Sequence, residues 1–134
     1  MADYPTMSNG PGATPPAGAP AVQQTPDEPL VGKRTLAEVA RLLDNIGHAV
    51  RTGYQLEEFH EGVRATYLWA VGQGRSPLTD RAAGIPDVRQ LRAEDDAAEA
   101  AIRGPRRRYA NGVQHAAMWL RGATQDQPWL VWET

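Results

Sequence analysis

The chain contains no cysteine. Disulfide staples and thiolate chemistry are therefore excluded, and a cytoplasmic location fits that absence. No apolar run approaches the roughly twenty residues that a membrane-spanning helix requires, so no membrane partner is expected. The N-terminus lacks the basic start and continuous apolar stretch of a signal peptide. Lysine is nearly missing, since Lys33 is the one Lys among 14 basic residues. Such arginine usage points to a GC-rich genome. Small size together with internal repetition suits a phage or mobile element of such a bacterium. Charge of one sign is lacking as well. The net charge is −2, which favours neither nucleic acid nor an acidic partner overall.

Apolar bulk is scarce at the start. Seven of the 11 prolines fall within the first thirty residues, and that composition cannot repay the entropy of ordering. Residues 1–33 are expected to form a disordered, partly polyproline tail. Asp3, Asp27 and Glu28 make the first thirty residues acidic, while residues 31–134 hold 14 basic and 13 acidic residues. Residues 34–134 make one domain near the lower end of comfortable sizes.

What the chain does have is a repeat. Gly62-Val63 is followed by Leu68-Trp69 and Gly72, and fifty positions later Gly112-Val113 is followed by Met118-Trp119 and Gly122. Phe59 and Tyr109 share the register. A fixed internal period implies a duplicated structural unit. Around it the apolar spacing predicts four helices. Thr35 and Glu38 form a capping box for a helix over about 35–50. A second helix runs over about 55–71 with Leu56, Phe59, Val63, Tyr67 and Ala70 as its stripe. A third covers about 87–103, with Val88, Leu91, Ala98 and Ile102 inward and Glu94, Asp95, Asp96 and Glu99 on its outer side. Pro105 opens a fourth that ends near Arg121. Gly72 to Pro86 reads as a long crossover loop. The expected fold is all-α: a four-helix bundle of two duplicated αα-hairpins, 34–77 and 86–128, followed by an apolar segment, 129–134.

Gly62 and Gly112 fall in mid-helix, where each costs about 1 kcal/mol relative to Ala. Gly62, Thr66 and Trp69 share one helix face, as do Gly112, Ala116 and Trp119. Close helix packing accounts for the pattern. A ligand slot floored by Gly62 and Gly112 and walled by Trp69 and Trp119 is the sharper alternative.

Glu57-Glu58-Phe59-His60-Glu61 offers carboxylates at i, i+4 and a Glu-x-x-His spacing, so Glu57, His60 and Glu61 are weak metal candidates. The E-E-x-x-E string resembles the first half of the Mg²⁺ motif of the all-α NTP pyrophosphohydrolases. That resemblance covers five residues. It implies a metal-dependent phosphohydrolase using Glu57, Glu58 and Glu61. The second acidic motif of that family, E-x-x-D, is missing, and Asp96-x-x-Glu99 is its reversal. Di-iron bundles need a second Glu-x-x-His, and the equivalent position holds Ala110. A solvated helix start explains these acids, and neither a metal nor a cofactor is expected.

Arg103, Arg106, Arg107 and Arg108 crowd the start of the fourth helix, where the macrodipole disfavours positive charge. Glu99, about one turn before Arg103, is the internal partner expected. An external anion is the alternative. Trp129, Leu130 and Trp132 are too apolar to dangle in water and suit anchored contacts. The expected function is a non-enzymatic interaction or assembly module that binds a protein partner or itself. A nucleic-acid-associated regulator using the Arg103–Arg108 cluster is second, and the phosphohydrolase third.

Overall fold

Thr35 starts the first helix by the expected device. Its hydroxyl accepts from the Glu38 amide at 3.0 Å, and the Glu38 carboxylate accepts from the Thr35 amide at 3.2 Å. The computed structural model describes residues 28–129. Within them lie a hairpin, β1 (Leu30–Val31) and β2 (Arg34–Thr35), and four helices: α1 (Leu36–Arg51), α2 (Glu58–Ala70), α3 (Val88–Ala101) and α4 (Arg107–Arg121). The all-α bundle expected from the sequence is the architecture found. Residues 1–27, most of the expected tail, and Leu130, Val131 and Trp132 lie outside the described residues.

The centre of the bundle is the crossing of α2 and α4. Gly62 and Gly112 make it possible. A β-carbon on Gly62 would collide with the Tyr109 carbonyl and lie 3.0 Å from the Val113 amide nitrogen. A β-carbon on Gly112 would collide with the Phe59 carbonyl and lie 3.1 Å from the Val63 amide nitrogen. The repeated residues thus meet one another reciprocally. Both helices bring bare backbone to the contact, and Val63, Tyr67, Ala70, Val113, Ala116, Ala117 and Leu120 are buried along them. Burial removes apolar area from water at roughly 25 cal/mol per Å², which offsets the propensity cost of two mid-helix glycines.

α3 packs on α4, and α1 leans more lightly on α2. Asp87 is the N-cap of α3 rather than part of its first turn, and it makes a capping box with Gln90. The outer face expected for this helix needs correcting. Glu94 and Asp95 are buried, whereas Val88 is exposed. Both acids turn inward because each finds strong donors there. Glu94 accepts from the backbone amides of Leu78 and Thr79 and from the Thr79 hydroxyl, at 2.6 Å in the last case. It thereby pins the crossover loop. Asp95 pairs with Arg121 at 2.6 Å and accepts from Gln114 at 3.2 Å, tying α3 to α4. α4 begins at Arg107, two residues later than Pro105, the expected opening residue.

The hairpin straddles the expected boundary between tail and domain at residue 33. Gly32, with φ of +62°, turns the chain between β1 and β2. Val31 then enters the core and the Lys33 amide donates to the Leu120 carbonyl at 2.8 Å. Arg34 donates to the carbonyls of Trp119, at 2.8 Å, and Thr124, at 3.0 Å. The hairpin is a clamp on the C-terminal end of α4, where free carbonyls and the negative end of the dipole favour donors and cations.

Candidate functional site

α3 ends at Ala101 and α4 begins at Arg107, so Arg103 and Arg106 occupy the turn and Arg107 and Arg108 the first turn of α4. All four side chains are exposed. None of them makes an ion pair among the described residues, where the pairs are Arg75–Asp80 and Arg121–Asp95. The expected pairing with Glu99 is not formed: α3 ends at Ala101, so Arg103 lies past the helix, and the Glu99 carboxylate accepts from Gln114 at 3.1 Å. Arg106 lies over the Tyr109 ring, 4.0 Å from its centroid. Burial pushes the Tyr109 phenol up, and the Arg106 charge pulls it the other way. Arg106 is also the N-cap of α4. No side chain caps that end, and no acid stands in the first turn. The α4 amides and dipole therefore face outward together with the arginines. Arg107, Arg108, Asn111 and Ile102 line a cavity of about 230 Å³ there. Chemically, the arrangement supplies guanidinium forks and amide donors to an anion.

The proposed glycine slot is filled by the chain itself. Gly62 and Gly112 touch backbone, and Trp69 is fully buried. Trp119 is buried too, packed edge-on against Tyr67 of α2 with ring centroids 5.9 Å apart, and the Arg34 guanidinium stacks 4.3 Å from its centroid. Those four residues pack as helix crossing and core, each surrounded by the chain's own atoms.

Glu57 is the N-cap residue of α2, with no side-chain capping bond, and Glu57, Glu58 and Glu61 are exposed. His60 turns away from them into an aromatic cluster, with its ring 4.8 Å from Trp129, 5.6 Å from Phe59 and 6.0 Å from Tyr54. Burial lowers its pKa, and the Glu57 charge opposes that shift. Among the described residues, no three His, Cys, Asp or Glu side chains form a group able to hold a metal.

Trp129 is buried inside the chain, so the C-terminal segment begins by folding back onto the junction of α1 and α2. Gln127 fixes that return. Its Oε1 accepts from the Tyr67 hydroxyl and from the Trp129 amide, each at 2.7 Å. Sequence reasoning missed Arg34, Glu94 and Gln127. Only Arg34 had a local signal, the Gly32 turn just before it.

No helix among the described residues is long and apolar enough to cross a membrane. The chain matches no protein-family model, no curated protein and no solved structure.

Proposed function

We propose that this protein is a small, non-enzymatic, cytoplasmic interaction module that docks an acidic surface of a protein partner through Arg103, Arg106, Arg107 and Arg108. The observation that carries the reading is that none of these four exposed residues makes an ion pair among the described residues, although Glu99 stands four positions before Arg103. Four like charges set against a helix N-terminus cost stability unless something outside the fold uses them. A protein partner is favoured over nucleic acid because the whole chain carries −2, so the basic patch is local. The reciprocal Gly62 and Gly112 contacts support a further reading, that the two hairpins are copies of one ancestral unit.

The test is binding to sensors coated with polyglutamate or with duplex DNA, at low salt. The wild-type chain is expected to bind polyglutamate at least as well as DNA. The variant Arg106→Gln, Arg107→Gln, Arg108→Gln is expected to lose that binding. Stronger retention on DNA, with a steep fall as salt rises, would make the nucleic-acid-associated regulator the better reading. Equal binding of wild type and variant would remove the arginines from the interface.

A further inference from the structure

The repeat shares its glycines and apolar positions, but its two helix starts carry opposite charge. Shifted by fifty residues, Glu57 and Glu58 correspond to Arg107 and Arg108, and Glu61 to Asn111. The fold turns that difference into geometry. The contacts of Gly62 with Tyr109 and Val113 match those of Gly112 with Phe59 and Val63, residue for residue under the same shift. α2 and α4 are therefore related by a local two-fold axis that passes between the two glycines. Glu57 and Glu58 stand on one side of that axis, and Arg107 and Arg108 on the other. Each pair lies four or five residues before its glycine, within about 8 Å along the helix at 1.5 Å per residue.

Tyr109 joins the two patches. Arg106 stacks on its ring. Burial pushes its phenol up, and the charges of Glu94 and Glu61 push the same way, so the Glu61 carboxylate stands near that ring. Glu57, Glu58, Glu61, Arg107 and Arg108 are all exposed, and none of them forms an ion pair among the described residues. An acidic patch and a basic patch side by side about a two-fold are self-complementary. A second copy turned over onto this face brings its arginines over the acids of the first, and its acids over the arginines.

We propose that the acidic surface docked by the arginines is Glu57, Glu58 and Glu61 of a second copy of this chain. The inference rests on the reading that the arginine cluster docks an acidic protein surface, and it names the partner. Charge complementarity selects this occupant, because both sets of side chains come from the same positions of one repeat and so match in spacing. The dimer is isologous, so every contact occurs twice. The cavity of about 230 Å³ lined by Ile102, Arg107, Arg108 and Asn111 receives carboxylates of the second copy. Exposed ion pairs are individually weak and are screened by salt. The dimer fraction therefore rises with protein concentration and falls as salt is added.

The test is a charge exchange read by sedimentation velocity at low salt. Glu57→Arg with Glu58→Arg leaves arginine on both halves, and Arg107→Glu with Arg108→Glu leaves acid on both. Wild type is expected to dimerise, each variant alone to be a monomer, and an equimolar mixture of the two to dimerise again. Glu57→Gln with Glu58→Gln adds no cation to the α2 start, so it keeps the test open if a reversal perturbs folding. It too is expected to lose most of the dimer. A variant that dimerises alone as wild type does, or a folded mixture that stays monomeric, would overturn the proposal. Polyglutamate binding is measured on the same samples. A wild type that is monomeric at every concentration, yet binds polyglutamate through the arginines, would exclude the second copy and leave docking to a different acidic protein standing. Loss of both would remove the arginine reading itself.

Discussion

Gly112 and Phe59 meet backbone to backbone: where another residue would carry a β-carbon, Gly112 has the Phe59 carbonyl. Gly62 and Tyr109 repeat the contact on the opposite helix. In an exposed helix Gly→Ala gains up to about 1 kcal/mol. Here the added methyl has only backbone to displace. Gly62→Ala and Gly112→Ala are therefore each expected to destabilise by about 1–3 kcal/mol through overpacking, and Gly→Leu by more. Denaturant unfolding checks the sign. A stabilised Ala variant at either site would show that α2 and α4 do not approach at those residues.

Arg34 gives a second prediction. It combines two bonds to carbonyls beyond its own element with a stack on Trp119. Charge-assisted bonds contribute more than neutral ones, about 1.5–3 kcal/mol each when buried. Arg34 is only half-buried, so Arg34→Leu is expected to cost about 2 kcal/mol in total. Lys33→Ala, which leaves the backbone bond to Leu120 in place, is expected to cost little. Equal losses from the two would mean that the clamp acts through general charge rather than through Arg34.

Glu94 holds the crossover loop by three bonds. Glu94→Ala removes both oxygens, the Oε2 that accepts from the Leu78 and Thr79 amides and the Oε1 that accepts from the Thr79 hydroxyl. A cost of about 2–3 kcal/mol is expected from the orphaned backbone donors. The loop carries exposed Arg75 and Arg81, so trypsin reports the effect directly. Faster cleavage at those sites, ahead of cleavage elsewhere, is the expected outcome. An unchanged digestion pattern would show that the loop is held by other means.

His60 gives a pH dependence. An ordinary imidazole protonates near 6.5, and burial lowers the value in the fold despite the Glu57 charge. Above 6.5 both folded and unfolded chains keep it neutral, so it adds no slope. As pH falls through 6.5 the unfolded chain takes up a proton that the folded chain refuses, and stability drops until the folded group protonates too. Between about pH 7.5 and about pH 5.5 the wild-type unfolding midpoint is expected to fall more than that of His60→Gln. Parallel slopes would assign the dependence to other groups.

The parts legible in the sequence were those with a local, periodic or costly signature. Thr35 with Glu38 spelled a helix start. Gly62 and Gly112 advertised a close crossing because a mid-helix glycine is unfavourable without one. The inward turn of Glu94 and Asp95 was not legible. Their donors come from residues 78, 79, 114 and 121, and nothing in the α3 sequence records them. The hairpin escaped because strands of two residues have no period to detect. Its Val31 also follows directly on a proline-rich stretch. The arginine cluster stood out as a set of residues placed against the helix dipole, yet the expected Glu99 contact required α3 to continue through Arg103, and the helix ends at Ala101.

The central claim is that the arginines at the start of α4 serve something outside the fold. The most direct measurement is the thermal unfolding midpoint of Arg107→Gln, Arg108→Gln against wild type, which leaves the Arg106 stack on Tyr109 in place. Each cation removed from a helix N-terminus relieves about 0.3–1 kcal/mol. The midpoint is expected to stay level or rise by a few degrees while binding to polyglutamate falls. A midpoint lower by several degrees would show that these side chains hold the bundle together, and would contradict the account.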